Sequence, residues 1–359
     1  MNFDLSEEQV MLQDAVKQYL RNECPMDRLR EIFDGETGHD PVLWKGLVEM
    51  GVAGLHLPEE YGGAGLEVLD LAVVSEVLGY QAAPGPFLGH VLAGLAIAEG
   101  GSAAQKETWL PRFASGEAIG TIAIAEEGGG GWQPEDWSLS GDGTLSGTKT
   151  NVPFASFADV IVVGVAGGGL VIAEPSASGV SIEALPGADQ TRRIDNVSFE
   201  GTPCEALPEG VHAAKRTRDV ALVLLAADAF GGAERCVEMS VEYSKTREQF
   251  GVKIAHFQAL KHQLADMAVE VEPSRALYWY AAHAMDHVAD ESERSAAMAK
   301  AHISDRFMQV ARDTVEAHGG LGFTWECDVQ IWFKRAMFDR AFFGTPAVHR
   351  TRAADLADW

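Results

Sequence analysis

The sequence has few basic residues for its size, no closely spaced cysteines and no long apolar run, and each shortage excludes a class of protein. Lysine and arginine number 28 against 53 aspartates and glutamates, which gives a formal net charge of −25. A nucleic-acid-binding surface needs a basic face to neutralise phosphates, so no nucleic-acid partner is expected. A small phosphate-bearing molecule stays compatible with this charge, because one or two arginines are enough to bind it.

The cysteines are isolated from one another along the chain, and they include no CxxC pair. That spacing is typical of reduced thiols in a cytoplasm and not of a disulfide framework or a zinc site. The longest uncharged run, residues 160–173, is interrupted by glycines and is too short to span a bilayer. The opening stretch MNFDLSEEQVMLQ is acidic and amphipathic, unlike a signal peptide. The sequence therefore predicts a cytoplasmic protein without membrane attachment.

The order of patterns predicts an α+β fold that is mostly α, with three domains. Residues 1–117 form the predicted N-terminal helical domain, in which a capping box starts at Ser6 and a second helix is framed by Asp40, Pro41 and Gly51. Residues 118–211 contain short alternating runs separated by turn signals at Asp142-Gly143 and at 167–169, which predict an antiparallel β barrel or sandwich. The strand–helix alternation of a Rossmann fold is absent.

Residues 212–359 form the predicted C-terminal domain, a four-helix bundle. The first half of the stretch 220–247 is apolar nearly all round, as in a buried bundle helix, and Gly231-Gly232 within the stretch indicates close helix approach. Further helices are predicted at about 255–287, 291–318 and 325–340.

Two stretches in this last region carry a family resemblance. YSKTREQFGVKIAHFQALKHQLADM (243–267) resembles the R-x-x-F-G…F-Q signature of acyl-CoA dehydrogenases, and EAHGGLGFTWECDVQIWFKRA (316–336) resembles their Q-x-x-G-G-x-G-F stretch. PEEYGGAG (58–65) and GTK (147–149) match family positions too, so the resemblance covers essentially the whole chain. The sequence HGGLGFTWE and the short chain length most resemble those of members that act on steroid-type CoA thioesters.

The resemblance implies FAD as cofactor, bound across a subunit interface, and α,β-dehydrogenation of an acyl-CoA. In such a reaction a carboxylate base removes the α-proton while the β-hydrogen leaves as hydride to the flavin. An electron-transferring flavoprotein is the electron acceptor that the resemblance implies.

In this family each FAD is held by two chains, and the half that this chain would offer to a neighbour's FAD matches the family. We call it the donated FAD surface. Arg247 matches the arginine that grips the FAD pyrophosphate, a task suited to a planar, permanent cation. Glu316 replaces a usual glutamine, and its carboxylate would repel a diphosphate. The FAD-contacting residues that the resemblance implies are Arg247, Gln249, Phe250, Gln258, Glu316, Gly319, Gly320 and, from a Gly-Thr pair near the C-terminus, Thr345.

The half that a chain keeps for its own FAD, here the retained FAD surface, departs from the family pattern. The usual Thr-Glu-Pro-Gly-x-Gly-Ser is AEEGGGG at 125–131, and the usual Trp-x-Thr is Asn151-Val152-Pro153. The hydroxyl groups and the flat indole surface are lost, and Pro153 offers no N–H. The sequence therefore predicts a degraded retained FAD surface.

The stretch DRAFFGTPAVHR (339–350) lacks the acid that the resemblance would place in it. The most common position of the family's catalytic glutamate directly precedes the Gly-Thr pair, and here it is Phe343. Some relatives carry the base on the first C-terminal-domain helix, at or next to the position of Ala221. Neither side chain accepts a proton, so no catalytic residue is predicted in this chain.

Three hypotheses follow. The leading one is the subunit without a base in an α2β2 acyl-CoA dehydrogenase, whose partner subunit carries the base. The second is a self-sufficient homo-oligomeric flavoenzyme with a non-standard base or another reaction. The third is a non-catalytic pseudoenzyme with a structural or regulatory role.

Two weaker sequence patterns do not predict a bound ligand. His283 and His287 have the i, i+4 spacing of metal ligands, but no third ligand is evident, and an ordinary helix surface explains them. The glycine run 128–131 is not followed by the Gly-Lys-Ser/Thr of a phosphate-binding loop. No metal is predicted.

Overall fold

The structure is a computed structural model that describes residues 4–128 and 130–357. Gly129, part of the glycine run at 128–131, lies outside the described residues. The α-helices are α1 (Glu7–Glu23), α2 (Met26–Asp34), α3 (Pro41–Glu49), α4 (Val68–Tyr80), α5 (Phe87–Gly100), α6 (Ala103–Ala114), α7 (Gly210–Thr246), α8 (Gln258–Val271), α9 (Ser274–His287), α10 (Ala289–Ala317), α11 (Val329–Ala341) and α12 (Pro346–Asp355). The strands are β1 (Gly120–Ala123), β2 (Thr144–Pro153), β3 (Val160–Val165), β4 (Gly169–Ala173), β5 (Val180–Ala184), β6 (Ile194–Pro203), β7 (Glu205–Ala206), β8 (Glu248–Gln249) and β9 (Val252–Lys253).

The first helices begin where local sequence chemistry satisfies their free N–H groups. Ser6 Oγ accepts from Gln9 N at 3.2 Å, and Gln9 Oε1 accepts from Ser6 N at 3.0 Å, which completes the predicted capping box. Asp40 caps α3 by accepting from the N–H of Val42 at 2.9 Å. The structure confirms the mostly helical α+β fold, with helices before and after a region of sheets.

The strands between residues 120 and 206 form two sheets, in the orders β1-β3-β4-β7 and β2-β6-β5. Residues from both sheets share one apolar cluster, so the sheets pack as a sandwich. Its members include Ala123, Leu145, Val152, Ile161, Val163, Val171, Val197 and Phe199.

The antiparallel prediction needs one correction, because β1 pairs with β3 in parallel. A parallel neighbour requires a long crossover connection, and the chain supplies it by passing through β2 in the other sheet. The glycine turn at 167–169 joins β3 and β4 as an antiparallel pair, as predicted. Asp142-Gly143 instead forms a turn ahead of β2, and no strand is assigned to the described residues immediately before it.

The predicted helix at 255–287 is also corrected, since it is two helices. α8 ends at Val271 and α9 begins at Ser274, with Pro273 between them. Proline has no N–H to donate and its ring clashes with the preceding turn, so one continuous helix is not available there.

Glycines allow α7 to pack closely against its neighbours, as predicted from Gly231-Gly232. A Cβ on Gly231 would lie 1.9 Å from Glu76 O on α4, and a Cβ on Gly232 would lie 2.4 Å from the ring of Phe307 on α10. Both distances are below any real contact, so side chains at these positions would force the helices apart.

The described chain groups into two compact units. The first contains the described parts of Met1–Arg30, Ala72–Ala83 and Leu222–Trp359, and the second contains Glu31–Leu71 and Pro84–Ala221. The domain boundaries 1–117, 118–211 and 212–359 stay a prediction. Among the described residues, no helix combines the length and the apolar character that crossing a bilayer requires.

Candidate functional site

Arg247 directly follows the end of α7 in the first compact unit. Its N–H donates to Tyr243 O at 2.9 Å, and its carbonyl accepts from Ile254 N at 2.9 Å, so the backbone is fixed on both sides. The side chain is exposed, and none of the carboxylates in the described chain pairs with it. In a protein with so many more acids than bases, an exposed arginine without an acid partner is available for an external anion.

The segment after Arg247 is a short ribbon in which Phe250-Gly251 forms the turn between β8 and β9. Both turn residues have positive φ, 56° and 80°, as a two-residue type I′ hairpin requires. Such a conformation is unfavourable for a bulky residue, and the Phe250 ring is 91% exposed. A strained backbone that presents an exposed aromatic ring is typical of a contact surface. Gln249, beside it, is exposed as well.

The glycine pair that follows α10 presents open backbone. Gly319 has φ of 60°, which a side chain would strain, and no atom of the described chain lies within 4 Å of a Cβ built on Gly319 or Gly320. Phe323, a few residues further on, is 76% exposed. Glu316 is exposed in the last turn of α10.

Two aromatic contacts lie at or beside these predicted residues. The rings of Tyr243 and His318 stack with centroids 4.3 Å apart, which joins the helix end before Arg247 to the turn at Gly319. The Phe250 ring meets Phe257 edge-to-face at 6.0 Å, and Gln258, exposed at the start of α8, follows Phe257 directly. Thr345 is not part of these contacts. It is exposed at the N-cap of α12 and makes no side-chain capping bond there.

Phe343 occupies a closed turn between α11 and α12. The residue is 1% exposed with φ of 60°, and its carbonyl accepts from His349 Nε2 at 2.8 Å. Lys300 Nζ donates to Gly344 O at 3.3 Å, and burial lowers the pKa of this lysine to about 7 although Asp339 opposes the shift. The turn is therefore held from two sides, with an apolar ring at the position where the resemblance would place the base.

Ala221 lies on α7 with no exposed surface, between the equally buried Val220 and Leu222. Sequence reasoning overlooked an acid two residues earlier, Asp219. Its carboxylate accepts from Arg218 Nε at 3.0 Å and from Arg218 Nη2 at 3.1 Å. Both carboxylate oxygens are therefore engaged by the guanidinium of the neighbouring residue.

Glu126, in the predicted retained FAD surface of the second compact unit, forms an ion pair with Lys149. Lys149 Nζ has no exposed surface and donates to Glu126 Oε1 at 2.7 Å. Glu126 also accepts from the backbone of Ser138 at 3.0 Å and of Leu139 at 3.1 Å. Burial would raise the pKa of Glu126, but the bonds from Lys149 and Ser138 outweigh it and bring the pKa to about 2. The only acid of this stretch that the chain leaves exposed is Glu127, among the described residues.

The segment Asn151-Val152-Pro153 also forms hydrogen bonds within the chain. Asn151 has φ of 54° at a bulge in the β2–β6 pairing, a conformation that asparagine tolerates. Pro153 O accepts from Thr121 Oγ1 at 2.5 Å, and Thr150 N donates to Ala125 O at 2.9 Å. The carbonyl of Pro153 is therefore already hydrogen-bonded within the chain, and Asn151 Nδ2 donates to Thr150 Oγ1 at 3.2 Å.

His283 and His287 stack on α9 with ring centroids 4.4 Å apart. No cluster of three or more histidine, cysteine, aspartate or glutamate side chains suited to a metal ion occurs within the described residues.

Comparison with protein families matches most of the chain. The model of the acyl-CoA dehydrogenase N-terminal domain matches residues 6–117, and that of the acyl-CoA dehydrogenase C-terminal domain matches residues 209–356. The chain belongs to the acyl-CoA dehydrogenase family. Acyl-CoA dehydrogenases are FAD-dependent flavoproteins that oxidise CH–CH bonds of acyl-CoA thioesters.

One relative and two solved structures are similar to this chain over nearly its whole length. Acyl-CoA dehydrogenase IpdE2 of Mycolicibacterium smegmatis is 34% identical, over 95% of this chain and 96% of the relative. A variant of the Tcur3481–Tcur3483 steroid ACAD has a TM-score of 0.90 at 32% identity, with 98% of each chain covered. The ChsE4–ChsE5 complex from Mycobacterium tuberculosis has a TM-score of 0.90 at 28% identity, covering 100% of this chain and 99% of the other.

Proposed function

We propose that this chain is the subunit without a catalytic base in an α2β2 acyl-CoA dehydrogenase. Its donated FAD surface would complete a flavin site whose isoalloxazine and base lie on the partner subunit. The observation that carries the proposal is the exposed Arg247, which has no acid partner in the described chain although the protein is strongly acidic. The solved relatives support the assembly, since two of them are named as pairs of proteins, one pair being a steroid ACAD.

The donated FAD surface fits a dinucleotide. A diphosphate needs permanent positive charge, which Arg247 supplies, and backbone that it can approach closely, which Gly319 and Gly320 supply because no described atom blocks them. The exposed ring of Phe250 and the amides of Gln249 and Gln258 add apolar and hydrogen-bonding contacts. Thr345, whose hydroxyl makes no capping bond, is a further proposed contact.

The retained FAD surface fits FAD poorly. Glu126, Thr121 and the carbonyl of Pro153 are all bound within the chain, and Pro153 has no N–H to offer. A ligand would have to break these bonds to be recognised by the same groups.

Bound FAD would supply the hydride acceptor, and this chain's own residues would bind and orient it. No proton transfer is assigned to this chain, because Phe343 and Ala221 are apolar and Asp219 is paired with Arg218. The proton acceptor is therefore assigned to the partner subunit.

The proposed substrate is the CoA thioester of a steroid side chain, which the name of one solved relative, a steroid ACAD, supports. An electron-transferring flavoprotein is the proposed electron acceptor, as is usual for the family. The cytoplasm is the proposed location, in line with four free cysteines.

The test is the flavin content and the subunit mass of this chain, purified alone and purified after co-production with a candidate base-carrying subunit. We expect the lone chain to be free of flavin and the complex to hold about one FAD per pair of subunits, as one completed site per pair requires. The matched variant is Arg247→Ala in this chain. The complex that contains it should lose FAD, while the mass of its protein assembly stays the same.

Two other results would replace the proposal. One FAD per subunit in the lone chain would favour a homo-oligomeric flavoenzyme with a non-standard base. The absence of flavin from both preparations would favour a non-catalytic structural or regulatory role.

A further inference from the structure

A pair of stacked rings connects the two parts of the donated FAD surface. Tyr243 and His318 lie with centroids 4.3 Å apart and ring planes inclined by 23°. Tyr243 is one helical turn before Arg247, whose N–H donates to the Tyr243 carbonyl at 2.9 Å. His318 directly precedes the Gly319-Gly320 pair. The stack thus joins the backbone that carries the arginine to the backbone that carries the glycines.

His318 is held firmly on the side of α10. It is 7% exposed, and its Nδ1 lies 2.8 Å from Thr314 O. A carbonyl oxygen only accepts, so Nδ1 carries the proton and the ring orientation is fixed. Burial lowers the pKa of His318, although the bond to Thr314 opposes the shift, which favours this neutral form.

The turn of α10 that contains Thr314 is hydrogen-bonded to α7, on the N-terminal side of the stacked residues in both helices. Thr314 Oγ1 lies 3.2 Å from Cys236 O, and Ser240 Oγ donates to Thr314 Oγ1 at 3.2 Å. These bonds fix α7 and α10 relative to each other up to Ser240. Beyond that point Arg247 and Gly319 are both exposed, so their spacing depends on what joins the last turns of the two helices.

We propose that the Tyr243–His318 stack is a positioning element, which sets the distance between the Arg247 guanidinium and the Gly319-Gly320 backbone so that both meet one FAD diphosphate. The inference rests on the proposed function. Tyr243 and His318 act through Arg247 and the glycines and need not touch the cofactor. Removing the stack should weaken FAD binding by loosening this spacing, because an aromatic pair restrains its two backbones in one arrangement.

The test measures the dissociation constant of FAD, by titrating the flavin-free complex of this chain with its partner and following flavin fluorescence. Tyr243→Ala should weaken binding about tenfold, the upper range for one aromatic pair. Tyr243→Phe retains the ring and should bind FAD within about twofold of the unchanged protein. Rescue by phenylalanine would show that the ring, and not the hydroxyl group, carries the effect.

The control is a stack of similar geometry elsewhere in the same compact unit. His283 and His287 on α9 lie 4.4 Å apart with planes inclined by 28°. His283→Ala should leave the FAD dissociation constant unchanged, which separates loss of positioning from loss of general stability. If Tyr243→Ala does not fold, Tyr243→Leu fills the same space without a flat ring, and it should show the same weakening.

The outcomes distinguish the two proposals. If Arg247→Ala weakens FAD binding while Tyr243→Ala and Tyr243→Leu do not, the positioning role is wrong and the proposed function stands. The positioning role is also wrong if Tyr243→Phe weakens binding as much as Tyr243→Ala. If Arg247→Ala leaves the FAD dissociation constant unchanged, the donated FAD surface is not used and the proposed function itself falls.

Discussion

The donated and retained FAD surfaces differ in where their polar groups find partners. In the donated FAD surface, Arg247, Gln249 and Gln258 are exposed, and the guanidinium has no carboxylate partner in the described chain. In the retained FAD surface, Glu126 accepts bonds from Lys149 and from the Ser138–Leu139 backbone, and Thr121 donates to Pro153 O. Polar groups that are hydrogen-bonded within the chain have little capacity left for a ligand, whereas an exposed group such as the Arg247 guanidinium can exchange water for a ligand.

The donated and retained FAD surfaces also differ in where their residues with positive φ lie. Phe250 and Gly319 both have positive φ and both lie at exposed turns, one with an exposed ring and the other with no neighbouring atom to fill its open side. Asn151 also has positive φ, but its bulge lies within a paired strand of the sandwich. Strain at an exposed turn indicates a contact surface, while strain inside a sheet is explained by the pairing.

The largest effect is expected from placing an acid at Phe343. Phe343→Glu buries a carboxyl group in an apolar turn and removes a packed ring, so we expect a loss of about 4 kcal/mol in the free energy of unfolding. No dehydrogenation should appear in the lone chain, because the retained FAD surface would still lack flavin. Denaturant unfolding measures the loss, and flavin bleaching by acyl-CoA measures activity. Phe343→Leu, as a control, should lose far less stability. Activity gained by the lone Phe343→Glu chain would contradict the comparison.

Glu126→Gln tests whether the retained FAD surface is structural. The change leaves the buried Lys149 without its counter-ion, which should cost about 3 kcal/mol of stability at neutral pH. The folded-state pKa of Glu126 is lowered to about 2, so the carboxylate stabilises the fold above its ordinary value of 4.5, and this contribution is lost as the pH falls towards 2. Thermal unfolding of both proteins between pH 7 and pH 3, in about half-unit steps, should show the difference shrinking with acidity. FAD binding by the complex should not change, and a large change would mean that this surface does contact flavin.

The smallest effect is expected from Glu316. Its carboxylate is exposed at the C-terminal end of α10, where both a diphosphate and the helix dipole disfavour negative charge. Glu316→Gln should therefore tighten FAD binding by the complex, by about twofold because exposed charges are screened. Asp290→Asn removes the same charge from the other end of α10 and should leave FAD binding unchanged. Weaker binding after Glu316→Gln would mean that the carboxylate accepts a bond from FAD.

The fold and the chemistry of single residues were largely predictable from the sequence. Ser6 with Gln9, and Asp40 ahead of Pro41, place helix starts because capping depends on residues within one turn. Gly231-Gly232 predicted close packing of α7 because only glycine permits it. The β1–β3 pairing was missed because parallel partners are distant in sequence and leave no local turn signal. The boundary between α8 and α9 at Pro273 could have been predicted from the sequence, since proline interrupts a helix.

By itself the sequence determined which groups the chain possesses: a permanent cation at Arg247, glycines at 319 and 320, and no acid at Phe343 or Ala221. Only the tertiary structure decided which of these groups are free. Arg247 is exposed without an acid partner, Asp219 is bound by its neighbour Arg218, and Tyr243 meets His318 although the two are far apart in the chain. The physical reason is that charge and hydrogen-bonding capacity belong to a residue, whereas their availability depends on the side chains that folding brings within a few ångströms.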